Sequence, residues 1–223
     1  MLHIEDPHRF EADDEAVVLA VDRFLRRHGA HPVSSVSNTI FPAALDRGDG
    51  VNSLRERYLE NYARRMHRPG EWGRYFQRMV AWKGPEGQQI DQVGTTIEML
   101  RKASAPGARF YQNTYEIAVF DPARDLKKRS NRQCLSFIEL KPARDGQLHM
   151  MAVYRNHFYV ERTLGNLIGL ARLLTFIAGE ADMTVGTLTI QSTHAELETT
   201  RWTKSQVHQL IDDCAGIMQT VAA

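Results

Sequence analysis

The segment TLGNLIGLARLLTFIAGEA, residues 163–181, carries apolar side chains around most of a helical turn. Leu164, Leu167, Ile168, Leu170, Leu173, Leu174, Phe176 and Ile177 leave no wide polar stripe to face water. A helix covered in this way has to lie largely buried inside a domain, so the chain must supply a second layer around it. Arg172 and Thr175 break the run, which is too short to span a bilayer. Gly165 and Gly169 stand one turn apart and permit another backbone to come close.

The covering layer is predicted on both sides of this helix. RQCLSFIELKP alternates, with Cys134, Ser136, Ile138 and Leu140 on one face and Leu135, Phe137 and Glu139 on the other. ARDG is a hairpin turn, and QLHMMAVYR returns with Leu148, Met150, Ala152 and Tyr154 on one face. MTVGTLTIQST is a further strand after the helix. ARFYQNTYEIAVF predicts a strand over 108–114 with a continuation into 116–120.

Helical spacing of Val17, Ala20, Val21, Phe24 and Leu25 predicts a helix over 15–28, capped by Asp13 or Asp14. Residues 1–12 show no period and are expected to be a mobile or packed-on terminus. VSSVSNTIFPAAL reads as a loop and short strand, and SLRERYLENYARRMHR as a charged helix with Leu54, Tyr58, Leu59 and Tyr62 inward. IDQVGTTIEMLRKA is a helix beginning near Asp91. DPARDLKKRSNR and HAELETTRW read as loops. Thr203 and Gln206 form a capping box for a last helix through Val207, Leu210, Ile211, Cys214 and Met218. These elements add up to a single α+β domain over 1–223, a mostly antiparallel sheet packed against a buried central helix and flanking helices.

Charge is nearly balanced, with Lys+Arg 28 against Asp+Glu 27 and no basic block, so nucleic acid is not an expected partner. Two widely separated cysteines make neither a disulfide framework nor a metal knuckle, and no metal is expected. The acidic, polar opening MLHIEDPHRFEADDEA is no signal peptide, so a soluble cytoplasmic protein is expected, with no membrane partner.

Chemistry concentrates between Cys134 and Asn166. A thiol, the guanidinium of Arg155 and the carboxamide of Asn166 arise from neighbouring elements, a set that suits a small, planar, anionic substrate. Each also has a plain structural alternative. Cys134 can be a small core residue, Arg155 can pair with Glu139 or Glu161, and Asn166 can satisfy backbone groups. Glu56 and Glu60, one turn apart, are either a solvated face paired with arginines or a source of a general base.

Several segments, in order, resemble the thymidylate synthase superfamily, which includes the pyrimidine nucleotide hydroxymethylases. NTIFP is similar to its early Ile-Phe strand, WGRYFQRM to its Tyr-Gly-x-x-Trp-Arg segment, and IDQVGTTIEML to its Ile-Asp-Gln helix. RQCLSF is similar to the strand bearing its nucleophile, and DGQLHMMAVYRNHFYVERTLGNLIGLARLL to its long central block. The resemblance spans roughly residues 33–197. It implies Cys134 as nucleophile at C6 of a pyrimidine nucleotide, Arg155 as phosphate ligand and Asn166 as reader of the base edge. Arg109 matches an arginine that reaches the phosphate across a homodimer interface. Glu60, or Glu56, is the available catalytic carboxylate, and His194, or Glu196, stands at the family's substrate-binding histidine. The implied activity is methylation or hydroxymethylation at C5, with 5,10-methylenetetrahydrofolate as donor. This chain departs from the pattern at Leu135 (the family's His), Asn156 (its Ser), Phe158 (its folate-contacting Asp) and Ala108 (the first of paired arginines). These departures leave nucleotide binding without catalysis, or chemistry on a nucleoside, as alternatives.

Overall fold

A computed structural model describes residues 1–66, 74–105, 107–129, 132–198 and 200–221. Trp72 and Gly73, which open the WGRYFQRM segment, lie outside the described residues. In chain order the elements are β1 (Leu2–Ile4), α1 (Ala12–Arg27), α2 (Val33–Ile40), α3 (Val51–Asn61), α4 (Tyr75–Val80), β2 (Trp82–Lys83), β3 (Gln89–Ile90), α5 (Gln92–Ser104), β4 (Glu116–Ala118) and α6 (Pro122–Asp125). There follow β5 (Leu135–Pro142), β6 (Gln147–Tyr154), β7 (His157–Phe158), α7 (Thr163–Glu180), β8 (Thr184–Ser192), β9 (Ala195–Glu196) and α8 (Lys204–Val221).

The α+β class holds. A five-stranded sheet runs in the order β1-β8-β6-β5-β4, and α7 is the crossover between the parallel neighbours β6 and β8. The other neighbours are antiparallel. Ile138, Leu140, Leu148, Ala152, Leu188 and Ile190 are fully buried on one face, in a core shared with Leu170, Leu173, Leu174 and Ile177 of α7. Among the described residues, no helix is long and apolar enough to cross a membrane.

The short strand expected in VSSVSNTIFPAAL is instead the helix α2. Val33, Val36, Ser37 and Ile40 recur at i, i+3, i+4 and i+7 and are buried. The β-branched character of Val33, Val36 and Ile40 favours strand, but tertiary packing overrides it. Asp22 of α1 caps α2 from a distance, accepting the Val33 N–H at 2.7 Å. The helix lies directly on the two glycines of α7. A Cβ at Gly165 would stand 2.5 Å from Val36 Cβ and 2.8 Å from the Val33 carbonyl oxygen, and one at Gly169 would stand 2.8 Å from the Ser37 carbonyl oxygen.

Several boundaries shift for identifiable reasons. The N-terminus is a strand, with Leu2 opposite Ile190, and α1 begins earlier than expected because Glu11 and Asp14 form a reciprocal capping box. Of the strand expected over 108–114 and 116–120, only β4 forms. Continuing its register past Glu116↔Glu139 brings residue 113 opposite Pro142, which has no N–H to extend the ladder. Two expected loops contain short elements: α6, with Asp125 buried against Arg78, and β9, paired in parallel with β7. On α8 the capping box is present and Val207 is buried, while Ile211 and Met218 are exposed.

Strand β5 breaks its own alternation. Leu135 pairs with Tyr154 and Phe137 with Val153, so Ser136 is one residue too many, a β-bulge. Leu135 therefore joins Ile138 and Leu140 in the core, and Cys134 does not share their face as simple alternation predicted.

Gly165→Val is expected to cost about 1–3 kcal/mol by overpacking α2 against α7. Gly179→Ala on the same helix, where a Cβ meets nothing within 4 Å, should be neutral or stabilising by up to about 1 kcal/mol. Urea unfolding midpoints of the two variants distinguish these outcomes.

Candidate functional site

Cys134 opens into a cavity of about 580 Å³, within the range of small-ligand sites. The bulge and the turn before β5 present it there, half-buried. Arg155, just past the end of β6, faces it from the neighbouring strand. The Arg155 backbone N–H donates to the Cys134 carbonyl at 2.9 Å. Its Nε donates to the Gln133 carbonyl and its Nη2 to the Arg132 carbonyl, each at 2.9 Å, and Nη2 lies 4.0 Å from Cys134 Sγ. A guanidinium has five N–H donors, so three remain after the two carbonyls are served. Arg155 thus holds the loop and still faces the cavity, and pairs with neither Glu139 nor Glu161. Those carboxylates engage Lys141, and Arg162 with Arg201, respectively.

Asn166 reaches the same cavity from the first turn of α7, buried, its N–H bonded to the Arg162 carbonyl. Its Nδ2 lies 3.0 Å from Nε2 of His157, and His157 Nδ1 lies 3.0 Å from Ser192 Oγ. Val36 and Thr39 of α2 line the wall beside it.

The electrostatics of the cavity are one-sided. Arg74, Arg129, Arg132, Arg155 and Arg162 all line it, and no Asp or Glu does among the described residues. Among the described residues, Arg132 Nε is buried with no hydrogen-bond partner, and its guanidinium sits 4.5 Å over the Phe120 ring. Such a wall is built for an anion.

Three weak acids meet beneath it. Tyr75 Oη accepts the N–H groups of Cys134 and Leu135, each at 3.2 Å. Burial pushes the Tyr75 hydroxyl up to about 12, and burial also holds the Tyr154 hydroxyl well above its ordinary value. Burial likewise pushes the Cys134 thiol up. Arg155 and Arg162 pull it down, but by less. Arg155 thus lowers the thiol pKa, but desolvation outweighs the two cations.

The other predicted residues lie elsewhere. Glu60 is exposed on α3, paired with Arg64 at 2.5 Å, beside a separate shallow pocket with Arg47, Arg57 and Arg65. Glu56 is also exposed. Arg109 is exposed, 5.2 Å over the Tyr111 ring, and does not line the Cys134 cavity. His194 sits at the rim, its Nδ1 2.6 Å from Oδ1 of the cavity residue Asn156, while Glu196 is exposed on β9. Sequence reasoning missed Arg74, Arg129, Arg132, Arg162, Tyr75 and His157. The nearness of Arg132 to Cys134, and of Arg162 to the start of α7, was the available signal. A larger cavity of about 780 Å³ runs along the opposite side of α7, lined by Leu164, Leu167, Ile168 and Phe176, without a cysteine. The chemistry therefore points to the smaller one.

No family model matches the chain. It is 29% identical over 163 residues to a protein described as "Putative thymidylate synthase" from Methanosarcina barkeri, covering 70% of this chain and 69% of the relative. A protein of the same description from Methanosarcina acetivorans is 28% identical over 162 residues, with the same coverage of each chain. Another, from Methanococcoides burtonii, is 27% identical over 136 residues, 58% of this chain and 54% of the relative. The chain is a distant relative of proteins so described.

Alkylation of Cys134 by iodoacetamide, in a Cys214→Ser background, is expected to rise with pH to a midpoint above that of an ordinary thiol. Because Arg155 lowers the thiol pKa, Arg155→Gln should move that midpoint further up and slow alkylation at pH 8 several-fold. Rates measured from pH 6 to 10 by mass spectrometry check both shifts.

Proposed function

We propose that this chain transfers a one-carbon unit to C5 of a pyrimidine nucleotide through a covalent adduct of Cys134 at C6. The observation that carries the reading is the convergence of Cys134, Arg155 and Asn166 on one arginine-lined cavity. Similarity to proteins described as thymidylate synthases supports the same class of chemistry.

Each residue then has a task. The arginines bind the phosphate and fix the nucleotide in the cavity. Asn166 meets the edge of the base. The Cys134 thiolate adds to C6, forming an S–C6 bond and giving C5 the carbanion character it lacks in the free base. C5 bonds to the electrophilic carbon, gives its proton to water and expels the group that carried that carbon; water then adds to the exposed methylene to give a hydroxymethyl group, where a hydride would give methyl. Elimination breaks the S–C6 bond and returns the thiolate. Tyr75 and Tyr154 keep their protons, so negative charge in this corner falls on sulfur.

The expected donor is 5,10-methylenetetrahydrofolate, which would supply carbon at the oxidation level of formaldehyde. A pterin presents amino and ring N–H groups that call for an acceptor such as a carboxylate. The described lining offers Phe158 as a flat surface and no carboxylate, so it fits the nucleotide and not the pterin. The same absence favours a second reading, nucleotide binding without turnover, since Glu60 faces elsewhere. The exposed Arg109 suits the expected homodimer, in which it would reach a partner's cavity.

With [5-³H]pyrimidine monophosphates, the wild-type protein is expected to release tritium. Cys134→Ala should abolish release while leaving nucleotide affinity within about threefold, and full release by that variant would end the proposal. The nucleoside should bind at least about tenfold more weakly than the monophosphate, because charge-assisted hydrogen bonds to the arginines are lost. Binding without release by the wild type would select the second reading.

A further inference from the structure

Tyr75 opens α4, half-buried in the wall of the Cys134 cavity. The backbone nitrogens of Cys134 and Leu135, each 3.2 Å from its Oη, can only donate, so the phenol oxygen is the acceptor in both contacts. With two donors on its oxygen, the hydroxyl has one valence left, its own O–H. Among the described residues no hydrogen bond takes up that proton.

The sulfur beside it is short of donors. Arg155 Nη2 lies 4.0 Å from Sγ and is shared with the Arg132 carbonyl at 2.9 Å, and among the described residues no other hydrogen bond reaches the sulfur. Burial outweighs both Arg155 and Arg162 and keeps the thiol raised. A neutral donor fixed in place can stabilise an anion in such a site without a counter-charge. Tyr75 is placed for it. Its Oη rests against a nitrogen three bonds from Sγ, so rotation about the Cys134 Cα–Cβ bond sets how near the sulfur comes to the hydroxyl. The two N–H groups also polarise the phenol and make its O–H a stronger donor. Burial, with Cys134 beside it, raises this hydroxyl to about 12, so it can give a hydrogen bond without giving up its proton.

Resting on the reading that Cys134 acts as a thiolate, we propose that Tyr75 is a positioning residue that stabilises this thiolate by donating its O–H to the sulfur. When the thiol ionises, its proton leaves for water, the S–H bond is lost, and an O–H···S⁻ hydrogen bond forms while the tyrosine stays neutral. As the sulfur adds to C6 its charge passes to the base and this hydrogen bond weakens. When the S–C6 bond breaks the hydrogen bond is remade, which helps the sulfur to leave. Tyr75 thus acts through Cys134 and touches no substrate. The other groups that face the sulfur hold their charge between pH 6 and 10. The cavity arginines stay cationic, burial keeps His157 neutral by lowering it to about 4, and burial keeps Tyr154 protonated.

The test is the pH midpoint of Cys134 alkylation by iodoacetamide in the Cys214→Ser background, without nucleotide. It is measured with the native Tyr75, with Tyr75→Phe and with 3-fluorotyrosine at position 75. A hydrogen bond to a charged group is worth about one to two pH units in such a midpoint, so Tyr75→Phe should raise it by that much. Fluorine beside the hydroxyl makes the O–H a stronger donor and the oxygen a weaker acceptor, so the fluorinated protein should show a midpoint below that of the native one. A tyrosine that only anchors the two N–H groups would leave both midpoints unmoved, or raise both by loosening the loop, and either pattern overturns the inference. The fluorinated ring keeps its size and its oxygen, so it decides the question if thermal melting shows that Tyr75→Phe does not fold. Opposite shifts in the two variants, with no tritium release by the wild type, would uphold this inference and overturn the proposed reaction. Unmoved midpoints with tritium release would do the reverse.

Discussion

The contact on which the site depends is the meeting of α2 and α7 at Gly165 and Gly169. Without side chains there, the Val33 and Ser37 carbonyls come within reach of the α7 backbone. That close approach puts Asn166, between the two glycines, at the edge of a cavity walled by Val36 and Thr39. It also leaves the remaining circumference of α7 to the sheet core, through Leu170, Leu173, Leu174 and Ile177. One helix thus serves as crossover, as core and as a wall of the site, and the glycine notch reconciles the three.

Around Cys134 two opposing effects act on one atom. A site that excludes water strengthens every interaction with an anion, yet it disfavours a free thiolate. Arg155 and Arg162 offset part of that cost. The sulfur therefore rests as a thiol, a state that limits unwanted oxidation and alkylation. The arginines serve the ligand more than they serve the sulfur, and Arg155 is shared between loop carbonyls and cavity.

How much of this was legible depended on how local each cause was. The buried central helix, the β5–β6 hairpin and the start of α5 near Asp91 were readable because their signals lie within a few residues. In the structure Asp91 caps that helix, accepting the Gly94 N–H at 2.9 Å. The helix α2 was misread because its cap, Asp22, and its packing partner, the glycine notch, come from other elements. Cys134, Arg155 and Asn166 could be proposed through an ordered series of motifs. Arg74 and Arg129 could not, since only the fold brings them to the thiol. The contact of His157 with Asn166 is a fact of geometry that no spacing rule carries.

The extra residue in β5 has a consequence for how this chain can vary. Downstream of Ser136 the even-numbered positions, Ile138, Leu140 and Pro142, point into the core, whereas upstream it is the odd-numbered Leu135 that does so. The strand is a sentence with a skipped beat. Chemical drift on its two sides obeys opposite rules, and a single-residue deletion at Ser136 would restore the rhythm while leaving Leu135 inward and the sulfur at the cavity.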